Sequence, residues 1–305
     1  MRMIKIIDTR PDFDQFLDEG ALSVARYMQV YFEPHRSVLE GLANTHLKSG
    51  MNELTTKISE LDFEWYKAQA SKLKERQFLD KTSSILEHAL KIMSPDNDYE
   101  IVCYLVYGFG TMTGCSSFVD GNVVLLIGLE WVAEYDRELA YEYFLIHELH
   151  HVLRYKQQSV IEEAAQMKLN DNQISNVVAQ AIVKNTTLGV CFVDEGLASL
   201  APVLVTGTEL DEITQCRMLF MPPEHIRQIR DREEELMSRA KALFNSNHQD
   251  VIYEWTFTDH GIQTDVPERA LYYLGLKAMH SLVKEGRWSF AELSKMTAEE
   301  ILSNI

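Results

Sequence analysis

Residues 140–155, AYEYFLIHELHHVLRY, constrain this chain more than any other stretch of it. The segment is apolar on nearly every side, which is the signature of a buried helix. It nevertheless carries His147, Glu148, His150 and His151, and such groups are costly in a buried helix unless something satisfies them. The run His147-Glu148-Leu149-His150-His151 fits the pattern HExxH. Residues four apart lie on one helix face, so His147 and His151 can aim two imidazoles at a single metal ion. Glu148 is rotated by about 100° from His147. That leaves its carboxylate beside the metal, where it can take a proton from water and later pass it to a leaving group. His150, three residues after His147, is assigned to support or packing of the site, because Glu148 would lose its relation to a metal drawn to His150.

A catalytic zinc needs three protein ligands and one open position. The residues after His151 read VLRYKQQSV and contain neither the glycine nor the histidine of the extended motif HExxHxxGxxH. A glutamate on a following helix is the other common solution. Glu195, in DEGLAS (194–199), lies 44 residues beyond His151 and fits that role. The spacing predicts a strand-like stretch at 189–193 (GVCFV), then a helix starting at Asp194 and limited by Pro202, with Glu195 near its positive end. Two readings of Glu195 stand side by side: a metal ligand, or an acidic first-turn residue of a capped helix. Glu162 and Glu163 are rivals, although Ser159 and Glu162 resemble a capping box that explains them as a helix start.

The rest of the chain bounds the setting. Its 305 residues are 46% hydrophobic and 25% charged, which excludes disordered and fibrous classes. Lys and Arg total 29 against 46 Asp and Glu, and the resulting charge of −17 argues against nucleic acid or an anionic membrane as a partner. The stretch 123–129, read as the longest near-continuous apolar run, is far short of the roughly 20 residues of a membrane-spanning helix, so no membrane span is expected. The opening MRMIKIIDTRPDFD has no apolar leader core, so no signal peptide is expected. Cys103, Cys115, Cys191 and Cys216 are scattered without a CxxC pair, which suggests reduced thiols and a cytoplasmic protein.

Along the chain, residues 1–95 read as helical, with helices at 21–31, 36–43, 52–74 and 82–93. Breaks fall at Pro34, at Ser49-Gly50 and at the turn-forming cluster 94–98, the best domain boundary available. The expected organisation is a helical N-terminal region of unknown role (1–95) and a catalytic domain (96–305). Residues 99–107 and 122–127 read as strands joined by the Gly-rich loop GFGTMTGCSSFVDG, and the second strand is a candidate cleft wall where a peptide could add as a further strand. Helices are then expected at 137–156, 160–169, 174–184, from 194, at 224–244 and at 269–284. The fold class is α+β, mostly helical, with one modest sheet.

Three blocks resemble the YjaZ-like family of predicted zinc-dependent proteases: HELHHVLR (147–154), DEGLAS (194–199) and VPERALYYLGLKAM (266–279). With the sheet before them they cover roughly residues 100–290. The resemblance implies a zincin-like domain with a small sheet and an HExxH helix. It also implies a gluzincin-type site, with His147, His151 and Glu195 binding one Zn²⁺ per chain and Glu148 as general base. The third block places Tyr272 in or near the site, where its hydroxyl could donate to an oxyanion. Leu271 stands where the family has a small residue and Tyr273 follows directly, so Tyr272, Tyr273 and ordinary core packing all stay open. Thermolysin-like enzymes carry an Asp four residues after the glutamate to hold a ligand histidine. Ser199 occupies that position here, which leaves Asp194 as the candidate for the duty. The expected activity is that of a cytoplasmic zinc metallopeptidase hydrolysing peptide or protein substrates. The alternative is a catalytically weak, metal-containing regulatory or sensor module that interacts through residues 1–95.

Overall fold

The computed structural model describes residues 4–18, 23–46, 50–74, 78–94, 100–110, 112–134, 138–156, 186–256 and 264–305. The helices expected at 160–169 and 174–184, with Glu162 and Glu163, lie outside the described residues. The described chain is α+β and mostly helical, with one four-stranded mixed sheet.

The sheet draws on both sides of residue 95. Its strands are β1 (Ile4–Asp8), β2 (Ile101–Val106), β3 (Gly114–Val119) and β4 (Asn122–Gly128), in the order β1-β2-β4-β3. β1 runs parallel to β2 with Ile4 opposite Ile101, and β2 runs parallel to β4 with Cys103 opposite Leu125. β3 and β4 form an antiparallel hairpin with Val119 opposite Asn122. Its two-residue turn is Asp120-Gly121, both at positive φ (49° and 75°), the geometry that matches strand twist. Two expectations change here. Residues 4–8 form a strand within the region read as all-helical, and the Gly-rich loop contains β3. The strand at 122–127 is also not a free edge: β4 is paired on both sides, so no peptide can add to it.

Backbone contacts group the described residues of 1–87 and 96–141 into one compact unit, and those of 88–95, 142–160 and 178–305 into another. The first holds the sheet with α1 (Arg10–Asp18), α2 (Val24–Tyr27), α3 (Arg36–His46), α4 (Met51–Ser59), α5 (Phe63–Lys74), the start of α6 (Phe78–Met93) and α7 (Leu129–Glu134). The helix expected over 52–74 is two helices, because Asp62 caps a new one by accepting the Trp65 N–H at 3.0 Å. The core of this unit is aromatic: Phe13, Phe16, Tyr27, Tyr31, Tyr66 and Tyr107 are all buried, and Phe13 stacks on Tyr107 at 3.9 Å. Tyr31 accepts the Tyr107 N–H and is bonded to Thr9, whose hydroxyl donates to the Leu105 carbonyl, so the aromatic core is tied to the end of β2.

Among its described residues the second unit is built from helices and contains no strand. It contains α8 (Glu138–Lys156) from residue 142 on, α9 (Leu188–Thr206), α10 (Glu212–Met218), α11 (Pro223–Arg230), α12 (Glu233–Leu243), α13 (Gln249–Thr256), α14 (Ala270–Lys284), α15 (Phe290–Leu293) and α16 (Ala298–Leu302). The helix expected over 224–244 breaks at Asp231-Arg232 into α11 and α12. The larger correction concerns α9. Residues 189–193 are helix, not strand: Thr187 caps the element by accepting the Val190 N–H, Asp194 lies well inside it, and it ends at Gly207 in the left-handed conformation. A short apolar run reads alike as buried strand or buried helix, and here burial on most sides decided for helix. The helix continues through Pro202, giving up one backbone N–H there rather than stopping. α9 is also long and apolar enough to cross a membrane, a stretch longer than the one at 123–129. Since 78% of its apolar window is buried within the protein, it is accounted for as a core helix, consistent with a soluble protein.

Candidate metal centre

α8 presents His147 and His151 one turn apart, and α9 brings Glu195 against them about two turns in from its own start. The Nε2 atoms of the two histidines are 3.1 Å apart. Glu195 Oε2 lies 3.3 Å from His147 Nε2 and 3.5 Å from His151 Nε2. All three side chains are largely buried, at 12%, 13% and 21% exposure. Glu195 Oε2 is fully shielded from solvent, yet among the described residues it takes no well-directed hydrogen bond. Two imidazole nitrogens and a carboxylate oxygen thus converge within 3.1–3.5 Å of one another. Ligands about 2.0–2.1 Å from a tetrahedral Zn²⁺ stand about 3.3 Å from one another, which is the spacing found. His147, His151 and Glu195 therefore fit a metal ion as a group.

The position of Glu195 follows from a close crossing of α9 and α14. A Cβ placed on Gly196 would lie 2.6 Å from the Gly275 carbonyl carbon, and one on Gly275 would lie 2.5 Å from the Phe192 carbonyl oxygen. Only glycine at both positions lets the backbones meet. The crossing also brings Tyr272, one turn before Gly275, beside the histidines. Its ring lies 6.5 Å from that of His147 and nearly parallel to it, at 12°. The Arg269 guanidinium is 5.6 Å from the same tyrosine ring. Tyr273 points elsewhere: it is buried and its hydroxyl donates to Glu233 at 3.3 Å. Of the two tyrosines, only Tyr272 is at the site.

The electrostatics reflect the crowding. Burial opposes the charge on Glu195, but His151 and His147 outweigh it and hold the carboxyl well below the usual range. Burial likewise opposes protonation of His151, and Glu195 outweighs it, lifting the imidazole to about 9. Glu148 is raised, mainly by burial, with the neighbouring histidines pulling the other way. Burial also pushes the Tyr272 hydroxyl upward, so it stays protonated and able to donate.

His150 turns away from the converging atoms. It is buried, its Nε2 is 3.2 Å from Ser294 Oγ, and its ring packs 5.4 Å from Phe290. Burial and the nearby Arg154 keep it neutral. Asp194 does not hold a ligand histidine. It faces Arg154, whose Nε donates to its Oδ1 at 2.7 Å. Arg154 carried no expected role. The signal was present: one Arg and one Asp of opposite charge, each within one turn of a candidate ligand.

The chain matches no family model, and no curated protein or solved structure matches it either.

Proposed function

We propose that this chain is a zinc-dependent metallopeptidase of the gluzincin kind, like the YjaZ-like proteases its motifs resemble. The observation that carries the reading is the convergence of His147 Nε2, His151 Nε2 and Glu195 Oε2 at tetrahedral ligand spacing, with Glu148 and Tyr272 adjoining. Zn²⁺ held by His147, His151 and Glu195 would supply a Lewis acid that lowers the pKa of water toward about 7 and polarises a carbonyl. Glu148, the residue after the first ligand, takes the proton of the attacking water and returns it to the departing amine. Tyr272 donates its hydroxyl proton in a hydrogen bond to the oxygen that gains charge as the carbonyl becomes tetrahedral. A cytoplasmic setting accords with the absence of any disulfide among the described residues, which include all four cysteines.

Glu148→Gln is the direct test. With a quenched-fluorescence peptide library as probe, turnover is expected to fall by about 10²–10⁴-fold. Zinc content should stay unchanged, since Glu148 is not a ligand. A Glu148→Gln protein that cleaves at the wild-type rate would overturn the mechanism. A zinc-loaded wild type that cleaves no library member would favour the regulatory module instead.

A further inference from the structure

His147, His151 and Arg154 follow one another at four- and three-residue spacing, so they share one stripe of α8. Two of the three are candidate ligands. The third reaches from α8 to Asp194, the residue immediately before the ligand Glu195 on α9. Its Nε donates to Asp194 Oδ1 at 2.7 Å. Its Nη1 donates to the carbonyl oxygens of Ser294 at 3.2 Å and Met296 at 3.1 Å, just past α15. One turn back on α8, His150 Nε2 meets Ser294 Oγ at 3.2 Å. The pair is sheltered from solvent, with side-chain exposures of 9% for Arg154 and 12% for Asp194.

We infer that Arg154 is a positioning residue: its fork of donors fixes the spacing between the two ligand-bearing helices, and thereby sets how tightly the site holds zinc. The inference rests on the zinc reading above. A tetrahedral site tolerates little error in the gap between the histidines on α8 and the glutamate on α9. No disulfide holds that gap. The Arg154–Asp194 bond bridges the same two helices within one turn of the ligands, and the Ser294 and Met296 carbonyls lock the guanidinium plane. A lysine carries the charge but not this planar fork, so it cannot hold the three acceptors in their places. Partners that orient ligands from outside the metal's own shell are commonly worth 10–100-fold in metal affinity. A pair kept only for stability would behave differently, because replacing both members of a buried ion pair by apolar residues is often neutral or stabilising.

The experiment measures the zinc dissociation constant of the full chain by competition with a chromophoric chelator. It compares wild type, Arg154→Lys, and the double variant Arg154→Met with Asp194→Leu, with thermal unfolding of each apoprotein alongside. The double variant leaves no unpaired buried charge and is expected to fold. The expected result is a dissociation constant raised about 10–100-fold in both variants, while the double variant unfolds near the wild-type temperature. Folded variants that bind zinc as tightly as wild type would overturn the inference while leaving the zinc site intact. A wild type that binds no zinc would overturn the zinc reading itself, and this inference with it.

Discussion

Under the proposed reading each side chain at the centre has a separable duty, and the two neighbouring tyrosines provide an internal control. Tyr272 lies beside His147, whereas Tyr273 is spent on Glu233. Tyr272→Phe is expected to lower kcat by about 10²–10³-fold, the cost of losing one oxyanion donor, with little change in KM. Tyr273→Phe should leave kcat within about twofold and cost about 0.5–1.5 kcal/mol of stability, the worth of one ordinary hydrogen bond. Equal kinetic losses in the two variants would refute the assignment of Tyr272. At this scale the sequence was informative, because four-residue helical spacing alone places His147 and His151 on one face. Glu195 was legible as a candidate only. Its place beside the histidines depends on a helix crossing that local sequence does not encode, and it was expected at the start of a helix rather than inside one. Asp194 was misread for the same reason: the local pattern suits a helix cap, while its partner Arg154 is 40 residues away.

Among the elements, the α9–α14 crossing has the least room for change. Gly196→Ala would put a methyl group 2.6 Å from the Gly275 backbone, so the helices must part. Overpacking of this kind costs about 1–3 kcal/mol. Urea denaturation should show that loss together with weaker zinc binding, because Glu195 adjoins Gly196. A Gly196→Ala protein of wild-type stability would contradict the crossing. In the other unit, Glu130 is buried at 3% exposure and accepts the Gly108 N–H at 3.1 Å and the Gly110 N–H at 3.0 Å. It thereby holds a turn in which Phe109 and Gly110 take positive φ of 54° and 71°. Burial raises its pKa, the backbone donors opposing. The fold therefore favours the protonated carboxyl more than the unfolded chain does. That stabilisation is complete below the unfolded value of about 4.3 and is lost as pH rises through the folded value. Glu130→Gln keeps one acceptor of two and should destabilise by about 1–3 kcal/mol. The advantage of wild type over the variant should shrink as urea midpoints are taken from acid toward neutral pH. An advantage that grows with pH would show that the carboxylate, not the acid, is the favoured form. The hairpin turn Asp120-Gly121 was not singled out in the sequence, because its strand GCSSFV has low strand propensity and the whole stretch was read as a loop. β1 was missed because five residues give too short a period to count.

For the molecule as a whole, α+β class and helical dominance were legible from periodicity, but the grouping of elements was not. β1 pairs with β2 across nearly a hundred residues of sequence, so the sheet is built from both sides of the expected boundary at 95. Turn composition marks where the chain bends, whereas strand pairing decides what it joins. The second unit contains the whole candidate centre, and its stability should respond to the metal. Zinc at 100 times its dissociation constant stabilises a protein that binds it only when folded by about 2.7 kcal/mol. Chelation should therefore speed hydrogen exchange in 142–156 and 188–206, with exchange of β2 and β4 as the internal comparison. The most direct measurement is metal content by mass spectrometry of the untagged protein, wild type beside the double variant His147→Ala, His151→Ala and the single variant Glu195→Ala. About one zinc per chain in wild type, lost in the double variant and sharply reduced in Glu195→Ala, is the expected result. A wild type that holds no metal even after reconstitution with zinc would contradict the central claim, because the three converging atoms would then be held together by protons alone.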